Sequence, residues 1–202
     1  MKSLFLKAVI LLLIPVTLYF LITKALPKLI VTELNYTPYY WFRAPWLFVH
    51  TVFGIIATLV GPFQFVPAIR NRYWNLHRSL GKIYLISVGI AALSAIYLSL
   101  TSAITISYTI GLIVGALVWL FTGTMAYRLI RQKKVQQHRQ WMVRNYVVTF
   151  FFIIFFGFYD LFMFLGIGNF EQLASILPWA CLIIPLTVTE FILSIKNNVQ
   201  KV

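Results

Sequence analysis

Three histidines and one carboxylate stand out in this chain, because His50, His77, His138 and Asp160 are ionisable groups within or beside runs of apolar residues. Histidine can exchange a proton near neutral pH or present a ring nitrogen to iron, and an intramembrane carboxylate needs a partner or a cavity. His77 opens the segment HRSLGKIY and His138 opens HRQWMVRNY. In both, a His-Arg pair is followed by Lys or Arg and then Tyr. Around the two histidines stand Arg70, Arg72, Arg78, Arg139 and Arg144, with Gln64, Tyr84 and Asn145 one or two turns deeper. Two imidazoles with a cationic rim suit haem b, His77 and His138 being the axial ligands and the arginines pairing with its propionates. Gly81, four residues after His77, leaves room for a flat ring; Met142 holds the same place after His138 and is less accommodating. The same donors and cations suit a quinone headgroup or an anionic lipid. Interface anchoring and topology alone would also account for such residues.

His50 and Asp160 form a second candidate group. Each lies about five residues inside the outer end of its span, roughly 7 Å at the rise of an α-helix. At matched depth they can form a buried pair, a proton-transfer couple or two ligands of a metal, although two ligands do not close a zinc site. The single cysteine, Cys181, excludes an internal disulfide and a cysteine metal cluster.

The elements that carry these residues are set by composition. At 61% hydrophobic and 10% charged, the 202-residue chain departs from soluble usage, and no apolar/polar alternation points to a barrel. The expected class is all-α, a single polytopic membrane domain. Runs long enough to cross the bilayer fall at about 4–23, 45–66, 83–100, 104–130, 143–165 and 176–195, giving six transmembrane helices. The basic N-terminus with its apolar middle reads as a retained first span, since no small-residue cleavage site follows. With both termini in the cytoplasm, only Lys24, Lys28 and Arg43 of the seventeen Lys and Arg lie outside, leaving fourteen inside. The net charge of +13 is thus a topology signal and does not imply nucleic acid. The first outer loop carries NYTPYYWFRAPW, an aromatic belt in which Pro45 opens the second helix.

Helical spacing predicts which faces turn inward. On span two, His50, Gly54, Ala57, Gly61 and Gln64 share a wedge that is polar at both ends and bare between. Span three aligns His77, Gly81, Tyr84, Val88 and Ala95, provided its helix starts a turn before the histidine. Span five aligns His138, Met142, Asn145, Thr149 and Asp160; span four offers Ser107, Gly111, Gly115 and Thr122. The small residues call for close helix packing whatever the function. The two His-Arg segments each begin the returning helix of a cytoplasmic hairpin, so spans two to five are expected to form a four-helix core of two hairpins.

GPFQF at Gly61 to Phe65, Arg70, HRSLGKIY and HRQWMVRNY together resemble the bacterial predicted membrane proteins of domain-of-unknown-function family 2306 (DUF2306), over spans two to five. The resemblance implies a multi-pass protein of the bacterial plasma membrane and no particular activity. In architecture alone the chain is similar to b-type cytochromes that hold haem in a four-helix bundle. Three histidines, with His50 on the far side of a core of about 30 Å, permit one bis-histidine haem at most. Three functions follow. The first is a ligand site at the cytoplasmic end, with haem b and electron transfer to a membrane quinone as its sharp form. The second is a small-molecule or proton-coupled transporter using His50 and Asp160, although no broken helix is evident. The third is a non-catalytic subunit or assembly factor. The four acidic residues are scattered and no nucleophile-base pair occurs, which argues against a hydrolase.

Overall fold

The computed structural model describes residues 13–32 and 41–199. Among them no strand occurs, and five helical stretches are long and apolar enough to cross a bilayer: Ala44–Phe65, Trp74–Leu100, Ile106–Arg131, Val135–Phe164 and Phe170–Asn198. The predicted first span lies partly outside the described residues. Its described part, α1, is helical over 13–20 and continues through a π turn, Leu21–Ala25, and a 3-10 turn, Leu26–Leu29. Six spans remain compatible with this arrangement. The aromatic-belt prediction also falls partly outside the described residues; within them Trp41 and Phe42 are exposed, and Trp46 packs on Tyr97 at 4.8 Å.

Helix α2 is Ala44–Val60, with Pro45 in its first turn as the sequence predicts. It tightens at Gly61–Phe65 into a 3-10 turn carrying Pro62, and a short helix, α3, follows at Pro67–Arg72. The third span is α4, Trp74–Leu100, and the fourth is α5, Ile106–Arg131. Thr105 caps α5, its Oγ1 accepting from Tyr108 N at 3.1 Å. The fifth span is divided into α6, Val135–Thr149, and α7, Phe151–Phe164. The sixth is α8, Phe170–Val199, opened by a reciprocal box in which Asn169 and Gln172 each accept the other's backbone N–H at 3.0 Å.

The helices that carry spans three and five begin at Trp74 and Val135, ahead of the apolar runs expected from 83 and 143, and the start at Trp74 meets the condition that the shared face of span three set. His77 and His138 are therefore helical residues in their first turns. Bilayer thickness sets the length of an apolar run, whereas a helix can extend past the hydrocarbon into water as far as its sequence permits. Span five is also interrupted, because Phe150 N turns back to Val147 O at 3.1 Å in a 3-10 step. The sequence carries no proline or glycine there to announce it.

The core follows the doubled hairpin. Helix α2 packs along α4, α5 along α6, and α4 along α5. Tyr84, Val88, Ala91 and Ala92 of α4 meet Ala116, Trp119 and Ala126 of α5, with Met142, Val148, Phe151 and Phe155 completing the cluster from span five. Helix α8 adds Leu173, Leu177, Cys181 and Leu182, so the sixth span shares the core and does not merely flank it. Close approach explains the small residues of α5. A Cβ on Gly111 would lie 2.8 Å from Cβ of Pro178, which is fully buried. A pyrrolidine ring cannot rotate away, so Gly111→Ala is expected to destabilise the protein by about 1 kcal/mol. A fall in Tm measured in detergent checks this, and an unchanged Tm would show that α8 shifts freely.

Candidate functional site

The inner end of the bundle, the one expected from the charge asymmetry to face the cytoplasm, gathers the residues of the first candidate group. Gln64 is carried there by the 3-10 turn that ends α2, and it is 8% exposed. Its amide lies against Gly81 of α4, where a Cβ would stand 3.0 Å from Oε1. His77 is one turn before Gly81 on the same face, and His138, Arg70 and Arg139 lie within electrostatic reach of it. Two atoms here are buried without a hydrogen-bond partner: Nε2 of Gln64 and Nδ1 of His77. A buried amide donor left unmade carries a desolvation penalty of about 1–3 kcal/mol, which a bound group would relieve. His138 differs, since its Nδ1 donates to the Ala126 carbonyl at 2.8 Å and the ring's lone pair is thereby assigned to Nε2.

Other members of the predicted site are committed elsewhere. Arg144 makes a bidentate pair with Glu190, Nη2 to Oε2 at 2.8 Å, and lies over the Trp141 ring at 4.8 Å. Arg78 lies 6.0 Å from the Trp74 ring centroid. Tyr84 and Asn145 belong to a buried network deeper in the bundle. Tyr84 donates to Asn145 Oδ1 at 2.7 Å and meets Thr149 Oγ1 at 2.9 Å. Asn145 Nδ2 donates to Trp119 O at 2.7 Å and to Thr122 Oγ1 at 2.9 Å. Trp119 Nε1 donates to Thr149 Oγ1 at 3.0 Å. Tyr84 and Asn145 are fully buried, and both donors of the amide and the phenol proton are satisfied. They tie spans three, four and five together and leave no donor for a ligand.

At the outer end, His50 and Asp160 take separate partners. His50 Nδ1 donates to the Ala91 carbonyl at 2.9 Å, and Asp160 accepts from Lys24 Nζ at 2.9 Å and from Tyr19 OH at 2.9 Å. Asp160 thus fastens α1 to the bundle. Beside it lies a cavity of about 250 Å³, walled by residues such as Leu47, Leu112, Phe152 and Phe156 and reaching Trp119 and Thr149 near the middle of the bundle. His50 lines it, and so do Lys24, Lys28 and Arg43. Sequence reasoning singled out His50 at this end but not the three cations beside it. The available signal was the three outer cations themselves, which run against the charge asymmetry.

Among the described residues no group of three or more His, Cys, Asp or Glu is placed to hold a metal ion. The combination that remains, among the described residues, is a bundle of apolar helices of membrane-spanning length with polar residues on their inward faces. A family model for predicted membrane proteins, DUF2306, matches residues 47–193, well over half of the chain. The chain belongs to the DUF2306 family. No curated protein and no solved structure matches it significantly. The matched region of this DUF2306 protein starts in α2 and ends in α8, so it takes in Gln64, His77 and His138 at the inner end and His50 and Asp160 at the outer end. Lys24, Lys28 and Arg43 precede it.

Proposed function

We propose that this protein, in a bacterial plasma membrane, binds the headgroup of a membrane quinone at the inner end of its bundle, between Gln64, His77 and His138. The observation that supports this reading is a pair of orphaned polar atoms, Nε2 of Gln64, whose amide lies against Gly81, and Nδ1 of His77, one turn before Gly81 on the same helix. A quinone offers two carbonyl acceptors on a flat apolar ring and approaches from the bilayer. Gln64 supplies a fixed N–H donor to one carbonyl. His77 can give a proton to a reduced quinone oxygen or take it back, and Arg70 and Arg139 favour the anionic forms of the ring.

Haem b with His77 and His138 as axial ligands fits this arrangement less well. The Ala126 bond holds the His138 ring as iron-ligating histidines are held, with Nε2 outward. Yet the gap beside Gly81, where a flat ring was expected to lie, is filled by the Gln64 amide.

Binding of decylubiquinone and of a short-chain menaquinone analogue to the detergent-purified protein tests the proposal. Gln64→Leu is expected to weaken binding by roughly tenfold, the loss of one hydrogen bond whose site is buried, while Tm holds or rises because an unsatisfied donor has been removed. Equal affinity in wild type and Gln64→Leu would overturn the site. A Soret band in protein from haem-replete cells, lost in His77→Ala, would favour haem instead.

A further inference from the structure

The outer cavity has no part in that proposal, and four observations give it a chemistry. First, its lining is mostly apolar but includes a group of cations. Lys24, Lys28 and Arg43, which are all the basic residues that the charge asymmetry leaves on the outer side, line this one cavity. Topology accounts for the other fourteen and not for these. Second, Arg43 is 7% exposed, and its Nη1 donates to the Leu98 carbonyl at 3.5 Å, so a guanidinium is held at the cavity wall away from water. Burial also holds the Lys28 ammonium below the usual lysine range. Third, span five is interrupted at Phe150 where Thr149, Phe151 and Phe152 border the cavity. Irregular backbone at membrane depth is tolerated where it is buried in protein or lines a cavity. Fourth, the space is larger than the dry cavity of about 150 Å³ that accepts benzene in an engineered protein.

We infer that this cavity is a binding site for an anionic single-chain amphiphile, its acid group held among Lys24, Lys28, Arg43 and His50 and its chain lying against Leu112, Phe152 and Phe156 toward Trp119. The acid group joins an existing cluster in which Asp160 already bonds Lys24. His50, its Nδ1 tied to Ala91, presents Nε2 as a further donor when protonated. Two sources share this chemistry: a free amphiphilic acid, and a bilayer phospholipid that inserts one tail.

The test uses ω-bromododecanoate, whose bromine quenches a tryptophan it touches, with ω-bromododecanol as the neutral control. The full-length protein is placed in zwitterionic nanodiscs. Gly54 lines the cavity, and a Cβ there meets nothing within 4 Å, so Gly54→Leu fills the space without a clash. The acid is expected to quench a component that Trp119→Phe removes. Gly54→Leu is expected to weaken this by roughly tenfold, as the exclusion of about two buried methylene groups would, with Tm unchanged or raised. Lys28→Gln is expected to weaken the acid and leave the alcohol unaffected. Competition by anionic phospholipid in the nanodisc marks the bilayer as the source, and its failure to compete marks a free acid. Quenching that is equal in wild type and Gly54→Leu, or equal for acid and alcohol, overturns the inference.

Discussion

Asn145→Leu is expected to lower stability by about 2–4 kcal/mol, the largest effect of any polar substitution in the bundle, because three interhelical hydrogen bonds are lost together. Single interhelical bonds in membranes contribute about 0.6 kcal/mol on average, since a chain unfolded in lipid also finds partners. Asn145 is a harder case. It is wholly buried, and its removal leaves the Tyr84 phenol, the Trp119 carbonyl and the Thr122 hydroxyl without the amide at once. Leucine is also bulkier, and the site is tight: a Cβ on Gly123 would already lie 3.2 Å from Asn145 Nδ2. An SDS titration of the purified protein measures the change. Tyr84→Phe alone should have a smaller effect, and the double variant should lose less than the sum, because the two residues share a bond. Strict additivity would show that the network is not a unit.

Gly61→Ala is expected to destabilise by about 2 kcal/mol through overpacking, and by more than Gly111→Ala. A Cβ at Gly61 would overlap the edge of the Tyr146 ring. That ring cannot swing aside. Its hydroxyl donates to the Thr58 carbonyl at 3.1 Å, and Phe65, Phe150 and Tyr84 surround it with ring centroids at 5.5, 5.1 and 6.3 Å. Relief would require α2 to move off α6, which would also disturb the turn that carries Gln64. Both Tm and quinone-analogue binding should therefore fall in Gly61→Ala, whereas Gly111→Ala, remote from that turn, should lower Tm alone. If Gly61→Ala were as stable as wild type, α2 and α6 would not be in the close contact described.

The inward face of span two illustrates how far spacing carries. Gly54 and Gly61 stand one above the other on a wedge that the sequence marks as bare. The structure uses the two gaps in opposite ways: one borders an open cavity, the other is filled by Tyr146. Periodicity finds a face and cannot say what fills it, because the filling residue comes from another helix. Gly81 teaches the same lesson, its gap being taken by Gln64 from the neighbouring span. His50 and Asp160 share a depth and a type of chemistry, yet each finds a nearer partner, in Ala91 and in Lys24 of α1.

What the sequence determined by itself is the class and the frame. Apolar runs of bilayer length, basic residues concentrated on one side and small residues at helical spacing leave few alternatives to a helical membrane bundle, since each is a local consequence of putting a polypeptide into lipid. The GPFQF, HRSLGKIY and HRQWMVRNY segments also carried the family. Tertiary structure decided which polar groups are spent on holding the bundle and which are left over. Asn145 and Tyr84 satisfy one another, Arg144 is paired with Glu190, and Gln64 and His77 each retain a buried atom with no partner. It likewise brought Arg43 to the same cavity as Lys24 and Lys28. Hydrogen-bond satisfaction and enclosure depend on atoms brought from several helices to within about 3 Å of each other, and nothing in the spacing along one helix reports them.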